Sequence, residues 1–268
     1  MRRIGAAEIR ARKGEPFPVV TAYDTPFARS AEEAGIDVLL VGDSLGMVVL
    51  GYDSTTPVEL HDMIRHTGAV ARGSQRAHVI ADLPFGSYEI SDAQAVASAI
   101  ELVRAGALSV KLEGGANVAQ RIRAIVDASI PVCAHIGVLP QTARLGAGFR
   151  LKRERDALLR DADAVVAAGA FTVVLEMVDD ELSGEITERI PIPTIGIGAG
   201  PRCDAQVLVL HDVLGLYPDA PPFAKQYAKV GEIATAALAS YAQEVRDGTF
   251  PLHRAAVRDD GGYRPGKG

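Results

Sequence analysis

The sequence predicts an α/β protein folded as a (β/α)₈ TIM barrel, and three observations lead there. The chain has 268 residues, and such barrels close as one unit of roughly 250 residues. Eight short β-like runs alternate with Ala-rich amphipathic stretches, the rhythm of βαβ units around a parallel sheet. Six ionisable residues stand at the ends of those apolar runs, where a barrel would gather them at one mouth.

The strand candidates, in order, are PVVTAY (18–23), DVLLVGD (37–43), AHVIADL (77–83), LSVKLEG (108–114), IPVCAHIG (130–137), FTVVLEM (171–177), IPTIGIG (192–198) and QVLVLHD (206–212). Helices are expected between them. TPFARSAEEAG carries Thr25 as a cap before Pro26 and Gly35 as a stop. SDAQAVASAIELVRAG opens on Ser91 or Asp92 and closes at Gly106. NVAQRIRAIVDASI and DALLRDADAVVAAG show apolar residues at helical spacing, and Gly169 ends the second. One barrel domain with an N-terminal helix is expected over residues 1–252, and a mobile tail over 253–268, which is polar and Gly-rich.

Composition narrows the function classes. Hydrophobic residues make up 48%, enough for a sizeable core, while Trp is absent and aromatics are only 5%, so no stacking platform for bases exists. A net charge of −6 opposes a phosphate-backbone partner. Cys133 and Cys203 form no CxxC pair, which leaves zinc and disulfide frameworks without support. No window approaches 18 uninterrupted apolar residues and the N-terminus has no apolar core of a signal peptide, so no membrane span and a cytoplasmic location are expected.

The charged strand ends are Asp43, Asp82, Lys111 and Glu113, His135 and Glu176. A carboxylate taken out of water without a partner costs several kcal/mol, so such residues make poor core and natural active-site walls. Lys111 and Glu113 are two apart and share a face. A lone Asp after a strand is ordinarily a helix N-cap, but two at one mouth beside Glu113 point to a hard cation. Gly-rich loops follow the second, fourth and seventh strands and suit close backbone approach to an anion, although GIGAG does not match the dinucleotide fingerprint.

The stretches TAYDTPFA, VGDSLGMVVLGYDSTTPV, ADLPFGSY, VKLEGG, IPVCAHIGVLPQ, VVLEMV, IPTIGIGAG, LHDVLGL and FAK, in this order from about Thr21 to Lys225, closely resemble the ketopantoate hydroxymethyltransferase family of pantothenate biosynthesis. The resemblance implies a barrel of the phosphoenolpyruvate mutase/isocitrate lyase kind. It also implies transfer of a one-carbon unit from methylene-tetrahydrofolate to 3-methyl-2-oxobutanoate, and a homodecamer built as a pair of pentamers. It assigns Asp43 and Asp82 to Mg²⁺, with Glu113 supporting the metal through water. Ser44 and Lys111 would grip the substrate, His135 would lie near its hydroxymethyl end, and Glu176 would be the base that removes the proton beside the keto group. Desolvation by FTVVL is expected to raise the carboxyl pKa of that base.

The charged segment TARLGAGFRLKRERDALL looks shortened relative to the family, which leaves its folate contacts unassigned. Tyr23 and Asp24 end the first strand and are candidates to line the site; His61, His66, His78, His211 and His253 are read as packing or surface residues, and Asp212 as a helix cap. The alternatives are a metal-dependent C–C lyase or aldolase acting on another 2-keto acid, including a Schiff-base aldolase with Lys111 as nucleophile, and a binding module without catalysis. The lyases of this barrel use a Cys in a KKCGH-like loop, absent here.

Overall fold

The computed structural model describes residues 2–146 and 148–251. Eight parallel strands close a barrel in sequence order: β1 (Phe17–Thr21), β2 (Val38–Val41), β3 (His78–Asp82), β4 (Ser109–Glu113), β5 (Val132–Gly137), β6 (Thr172–Glu176), β7 (Thr194–Ile197) and β8 (Ala205–Leu208), with β8 pairing back onto β1. All eight sequence-predicted strands are present. The last is shorter than expected, because Leu210–Leu214 forms a helical turn that takes up Asp212 within it rather than as a cap.

The crossover helices carry the local signals that start and stop them. Ser91 Oγ accepts from Gln94 N–H at the head of the helix Asp92–Ala105, and Gly106 ends it with φ +116°. The helix Thr25–Glu33 is capped by Asp24, not by Thr25: Asp24 Oδ1 accepts from Phe27 N–H at 2.8 Å, while Thr25 Oγ1 donates to Ala69 O. The residue before the first helical turn owns the extended backbone that a cap needs, and that residue is Asp24. The helix Leu60–Gly73, unannounced by its neighbours in sequence, packs against Thr25–Glu33 and Asp92–Ala105.

Alternation gives each strand an inward row, and these rows run from apolar below to ionisable above. Phe17, Val19, Val38, Leu40, Ile80, Cys133, Val174, Ile195, Ala205 and Val207 pack together in the interior, joined from the N-terminal segment by Ile9. One polar pair interrupts the lower layer. His78 Nε2 accepts from Ser109 Oγ at 2.8 Å and its Nδ1 donates to Ile4 O at 2.9 Å, tying the N-terminal segment to the barrel floor.

Contacts divide the chain at Leu210, into a unit Met1–Leu210 that holds the whole barrel and a second unit from His211 onward, where the sequence implies one domain to residue 252. The helix Val230–Arg246 in the second unit has no buried residue. The expected tail over 253–268, with His253, lies outside the described residues.

Burial depresses the His78 pKa to about 4. A folded-state pKa below the unfolded one means that the unfolded chain binds the extra proton, so this contribution is complete above about pH 6.5 and lost as pH falls towards about 4. The difference in urea midpoint between the unsubstituted chain and His78→Gln should therefore shift across that interval, by up to about 3 kcal/mol in unfolding free energy. A pH-independent difference would contradict the assignment of a neutral, buried His78.

Candidate active site

Strand register sets the site. Asp82, the last residue of β3, pairs with Lys111 of β4; Glu113, the last of β4, pairs with His135 of β5; Glu176, the last of β6, pairs with Gly137. Adjacent strands lie about 4.8 Å apart, so these neighbours share one rim. Asp43 lies two residues beyond β2 and donates its backbone N–H to Asp82 Oδ2 at 3.1 Å. The structure thus brings together Asp43, Asp82, Lys111, Glu113, His135 and Glu176, as the sequence predicted. Ser44 joins them through Asp43, with its Oγ 2.9 Å from Tyr23 OH.

Lys111 is the electrostatic centre. Its Nζ is 3.2 Å from Asp82 Oδ2 and 3.3 Å from His135 Nδ1, and only 4% of its side chain is exposed. Burial alone would push its pKa down, but Asp82, Glu113 and Asp43 outweigh that and raise it, so the ammonium persists. An ammonium is no nucleophile, which weighs against the Schiff-base alternative. It also fixes the tautomer of His135. The ammonium has only protons to offer, so Nδ1 accepts and the ring proton sits on Nε2, which faces Glu176 Oε2 at 3.4 Å without a well-formed hydrogen bond. Burial, and then Lys111, lowers the His135 pKa, which keeps the ring neutral.

The carboxylates respond in the opposite direction. Burial raises the pKa of Asp43, and the neighbouring Asp82 raises it further; burial also raises Asp82 and Glu113. Three carboxylates, Asp82, Glu113 and Asp43, act on one ammonium, with Glu176 as a fourth on the same rim, and Asp82 Oδ1 is buried without a hydrogen-bond partner among the described residues. The arrangement has negative charge in excess.

Sequence reasoning missed two buried members of the site. Gln141, in the turn Pro140–Ala143 after β5, donates from Nε2 to Asp43 Oδ2 at 2.8 Å and from its backbone N–H to Glu113 Oε2 at 3.1 Å. Tyr88, after β3, donates its hydroxyl to Gln141 Oε1 at 2.6 Å and receives the Glu113 N–H at 3.3 Å. The Pro-Gln dipeptide closing IPVCAHIGVLPQ is the available signal, since Pro at a first helical position leaves the next N–H free for a ligand or side chain. Asp24, by contrast, is spent as a helix cap, whereas Tyr23 does line the site.

Backbone conformation supports Glu176 from two sides. A Cβ at Gly137, where φ is +100°, would lie 2.3 Å from Glu176 O, so only Gly permits this approach. Met177 holds φ +46°, secured by its N–H to Ile197 O at 2.9 Å and by Lys152 N–H to its carbonyl at 2.7 Å. Non-Gly residues in that region concentrate where function over-determines the backbone. A cleft of about 460 Å³, lined in part by Thr56, Phe85, Ser87 and Gln94, contains none of the six charged site residues in its lining. Its Ser87 hydroxyl and Gln94 amide donate to backbone carbonyls, which leaves the chemistry to the carboxylate cluster.

Among the described residues no three His, Cys, Asp or Glu side chains close into a chelate that could hold a cation unaided. Mg²⁺ does not require one: it keeps several waters and is commonly held by one or two carboxylates plus the substrate. Two buried Asp residues with raised pKa, an unpartnered Asp82 Oδ1 and an excess of negative charge fit that demand. Glu113 stands back, with Oε2 on the Gln141 N–H.

The barrel is similar in fold to solved structures that include 2,3-dimethylmalate lyase, itself a member of the phosphoenolpyruvate mutase/isocitrate lyase superfamily. 2,3-Dimethylmalate lyase superposes with a TM-score of 0.62 at 18% identity, over 96% of this chain and 93% of that one. Phosphonopyruvate hydrolase superposes with a TM-score of 0.63 at 15% identity, over 91% and 88% respectively, and has also been solved with oxalate and Mg²⁺. At such identities the likeness speaks for the barrel and not for the reaction. Sequence goes further. The ketopantoate hydroxymethyltransferase family profile matches residues 3–253. The 3-methyl-2-oxobutanoate hydroxymethyltransferases of Ignicoccus hospitalis and Thermus thermophilus are 54% and 50% identical, covering 90% and 91% of this chain and 93% and 95% of theirs. The chain belongs to the ketopantoate hydroxymethyltransferase family.

Replacing Lys111 by Met strands the carboxylates it neutralises. Breaking a buried pair in this way costs about 3–5 kcal/mol. Without divalent ions, the deficit should be largest near about pH 8 and narrow towards about pH 5.5, because the carboxyl pKa values are raised in the fold and proton uptake then favours the folded state. Urea unfolding at both pH values checks this; a deficit that widens on acidification would refute the charge assignment.

Proposed function

We propose that this enzyme catalyses the reaction 3-methyl-2-oxobutanoate + methylene-tetrahydrofolate + water → 2-dehydropantoate + tetrahydrofolate, a step of pantothenate and coenzyme A biosynthesis. The observation that carries the reading is the single rim shared by a carboxylate pair, a buried ammonium and a separate carboxylate on the next strands, beside a histidine. Asp43 and Asp82 would hold Mg²⁺, with Glu113 supporting it through water. Bound there, Mg²⁺ would act as a Lewis acid that stabilises negative charge on the keto oxygen.

The protein's own groups do the rest. Ser44 and the amides of its Gly-rich loop bind the substrate carboxylate. Lys111 supplies fixed positive charge in a water-poor site, where it is worth far more than in bulk solvent. Glu176 accepts the proton from C3 of the keto acid; it ends β6, across β5 from the Asp82–Lys111 ion pair, with Oε2 3.4 Å from His135 Nε2. His135, with its proton on Nε2, steadies a Glu176 oxygen and then the new hydroxyl. C3 forms the C–C bond to the one-carbon unit as that unit's two bonds to the folate nitrogens break; water supplies the hydroxyl, and its second proton and the one taken from C3 end on the nitrogens of the departing tetrahydrofolate.

The enzyme would work in the cytoplasm; no helix among the described residues is long and apolar enough to cross a membrane. Self-association to a homodecamer is supported by the helix Val230–Arg246, which exposes Ile233, Leu238, Tyr241 and Val245. The net charge of −6 argues against nucleic acid.

Exchange of the C3 proton of 3-methyl-2-oxobutanoate into heavy water isolates the first step from the folate. With Mg²⁺ present, Glu176→Gln should slow that exchange by about 10²–10⁴-fold. Exchange retained at the unsubstituted rate would remove Glu176 from the role of base.

A further inference from the structure

Gln141 is 1% exposed, and every hydrogen-bonding group of its side chain is committed. Both Nε2 protons are used, one on Asp43 Oδ2 at 2.8 Å and one on Leu83 O at 2.9 Å. Oε1 receives the Tyr88 hydroxyl at 2.6 Å. Turning the amide over would set Oε1 against a carboxylate and a carbonyl, three acceptors with no proton between them, so the orientation is fixed by chemistry. The backbone N–H, unclaimed within so short a helical turn, goes to Glu113 Oε2 at 3.1 Å.

One residue therefore touches the three elements that carry Asp43, Asp82 and Glu113: Asp43 by its side chain, Glu113 by its backbone, and the end of β3 through the carbonyl next to Asp82. We infer that Gln141 is a positioning residue: it holds one oxygen of Asp43 so that the other, with the unpartnered Asp82 Oδ1, is preset for a divalent cation, it holds one oxygen of Glu113 so that the other is preset for a cation-bound water, and Tyr88 keeps its amide in the working orientation. This rests on the Mg²⁺ reading of the site. Outer partners of this kind typically govern metal affinity by 10–100-fold, because they freeze the ligand's rotamer before the metal arrives. Leu83 N–H is already given to Lys111 O, so β3 is anchored independently and the Gln141 contact to Leu83 O is not needed to hold the strand.

The test uses Mn²⁺ as the probe, titrated into the full-length enzyme without keto acid and followed by the loss of the free-ion electron paramagnetic resonance signal, alongside thermal unfolding without metal. Gln141→Met keeps the volume and removes all three side-chain hydrogen bonds; it should weaken Mn²⁺ binding by about 10–100-fold. Tyr88→Phe leaves the amide in place and should weaken it less. Gln141→Glu should retain the Tyr88 contact and also weaken binding, because its carboxylate meets Asp43 in place of an N–H. The unfolding midpoint reads whether each variant is folded, and the affinities are compared on folded protein only. Mn²⁺ affinity within twofold of the unsubstituted enzyme in folded Gln141→Met would overturn this inference alone. Absence of Mn²⁺ binding by the unsubstituted enzyme would overturn the metal reading and this inference with it.

Discussion

The site depends on one buried ammonium. Lys111 lies inside the rim with almost no access to water, and its ammonium, 3.2 Å from Asp82, is the full positive charge set among the clustered carboxylates. An ion pair withdrawn from water rarely stabilises a fold, because desolvation of both partners offsets their attraction. This pair is better understood as a constraint. It keeps Asp82 from being stranded, fixes the tautomer of His135, and still leaves more carboxylate than it can neutralise. The residual negative charge is what a divalent cation and a keto acid would have to complete.

The strands alone could not deliver this geometry. Barrel register places Asp82, Lys111, Glu113, His135 and Glu176 on one rim, but the side chains are oriented by the loops beyond the strand ends. Gln141 and Tyr88, both in such loops, lock Asp43 and Glu113 from outside the ring. On the β6 side the same task falls to backbone: Gly137 admits the close approach to Glu176 O, and the left-handed Met177 turns the chain away directly after the carboxylate. Rigid strands supply position, and the loops supply aim.

Much of this is legible in the sequence. Short apolar runs alternating with helical stretches locate every strand, charges at or just past the ends of β2 to β6 mark the site, and alternation gives the shared face of Lys111 and Glu113. Features that depend on contacts distant in sequence escape it. Gln141 carries no charge and has no periodic neighbours, so only the proline before it sets it apart locally from a surface glutamine. The cap of Thr25–Glu33 is misplaced by one residue, because Asp and Thr are both competent caps and only the extended backbone of Asp24 decides between them. Asp212 reads as a cap from its position after an apolar run; the helical turn Leu210–Leu214 forms one step earlier than that run implies.

The inner rows also distinguish a structural polar pair from a functional one without reference to any family. His78 and Ser109 belong to the same inward rows as Asp82, Lys111 and Glu113, and they are buried just as deeply. At the floor, however, the ring is complete: both His78 nitrogens are bonded, to Ile4 O and Ser109 Oγ, and burial drives the ring neutral. At the rim, Asp82 Oδ1 has no partner among the described residues, His135 Nε2 has no aligned acceptor, and the carboxylates are crowded enough to raise one another's pKa. Buried polar groups in a folded protein are almost always satisfied, since each orphan costs roughly 1–3 kcal/mol. A barrel that satisfies its polar atoms at one end and leaves them open at the other has kept that free energy available for something that binds, and the polarity of the opening would suit a cation beside Asp82 Oδ1 and a hydrogen-bond acceptor beside His135 Nε2.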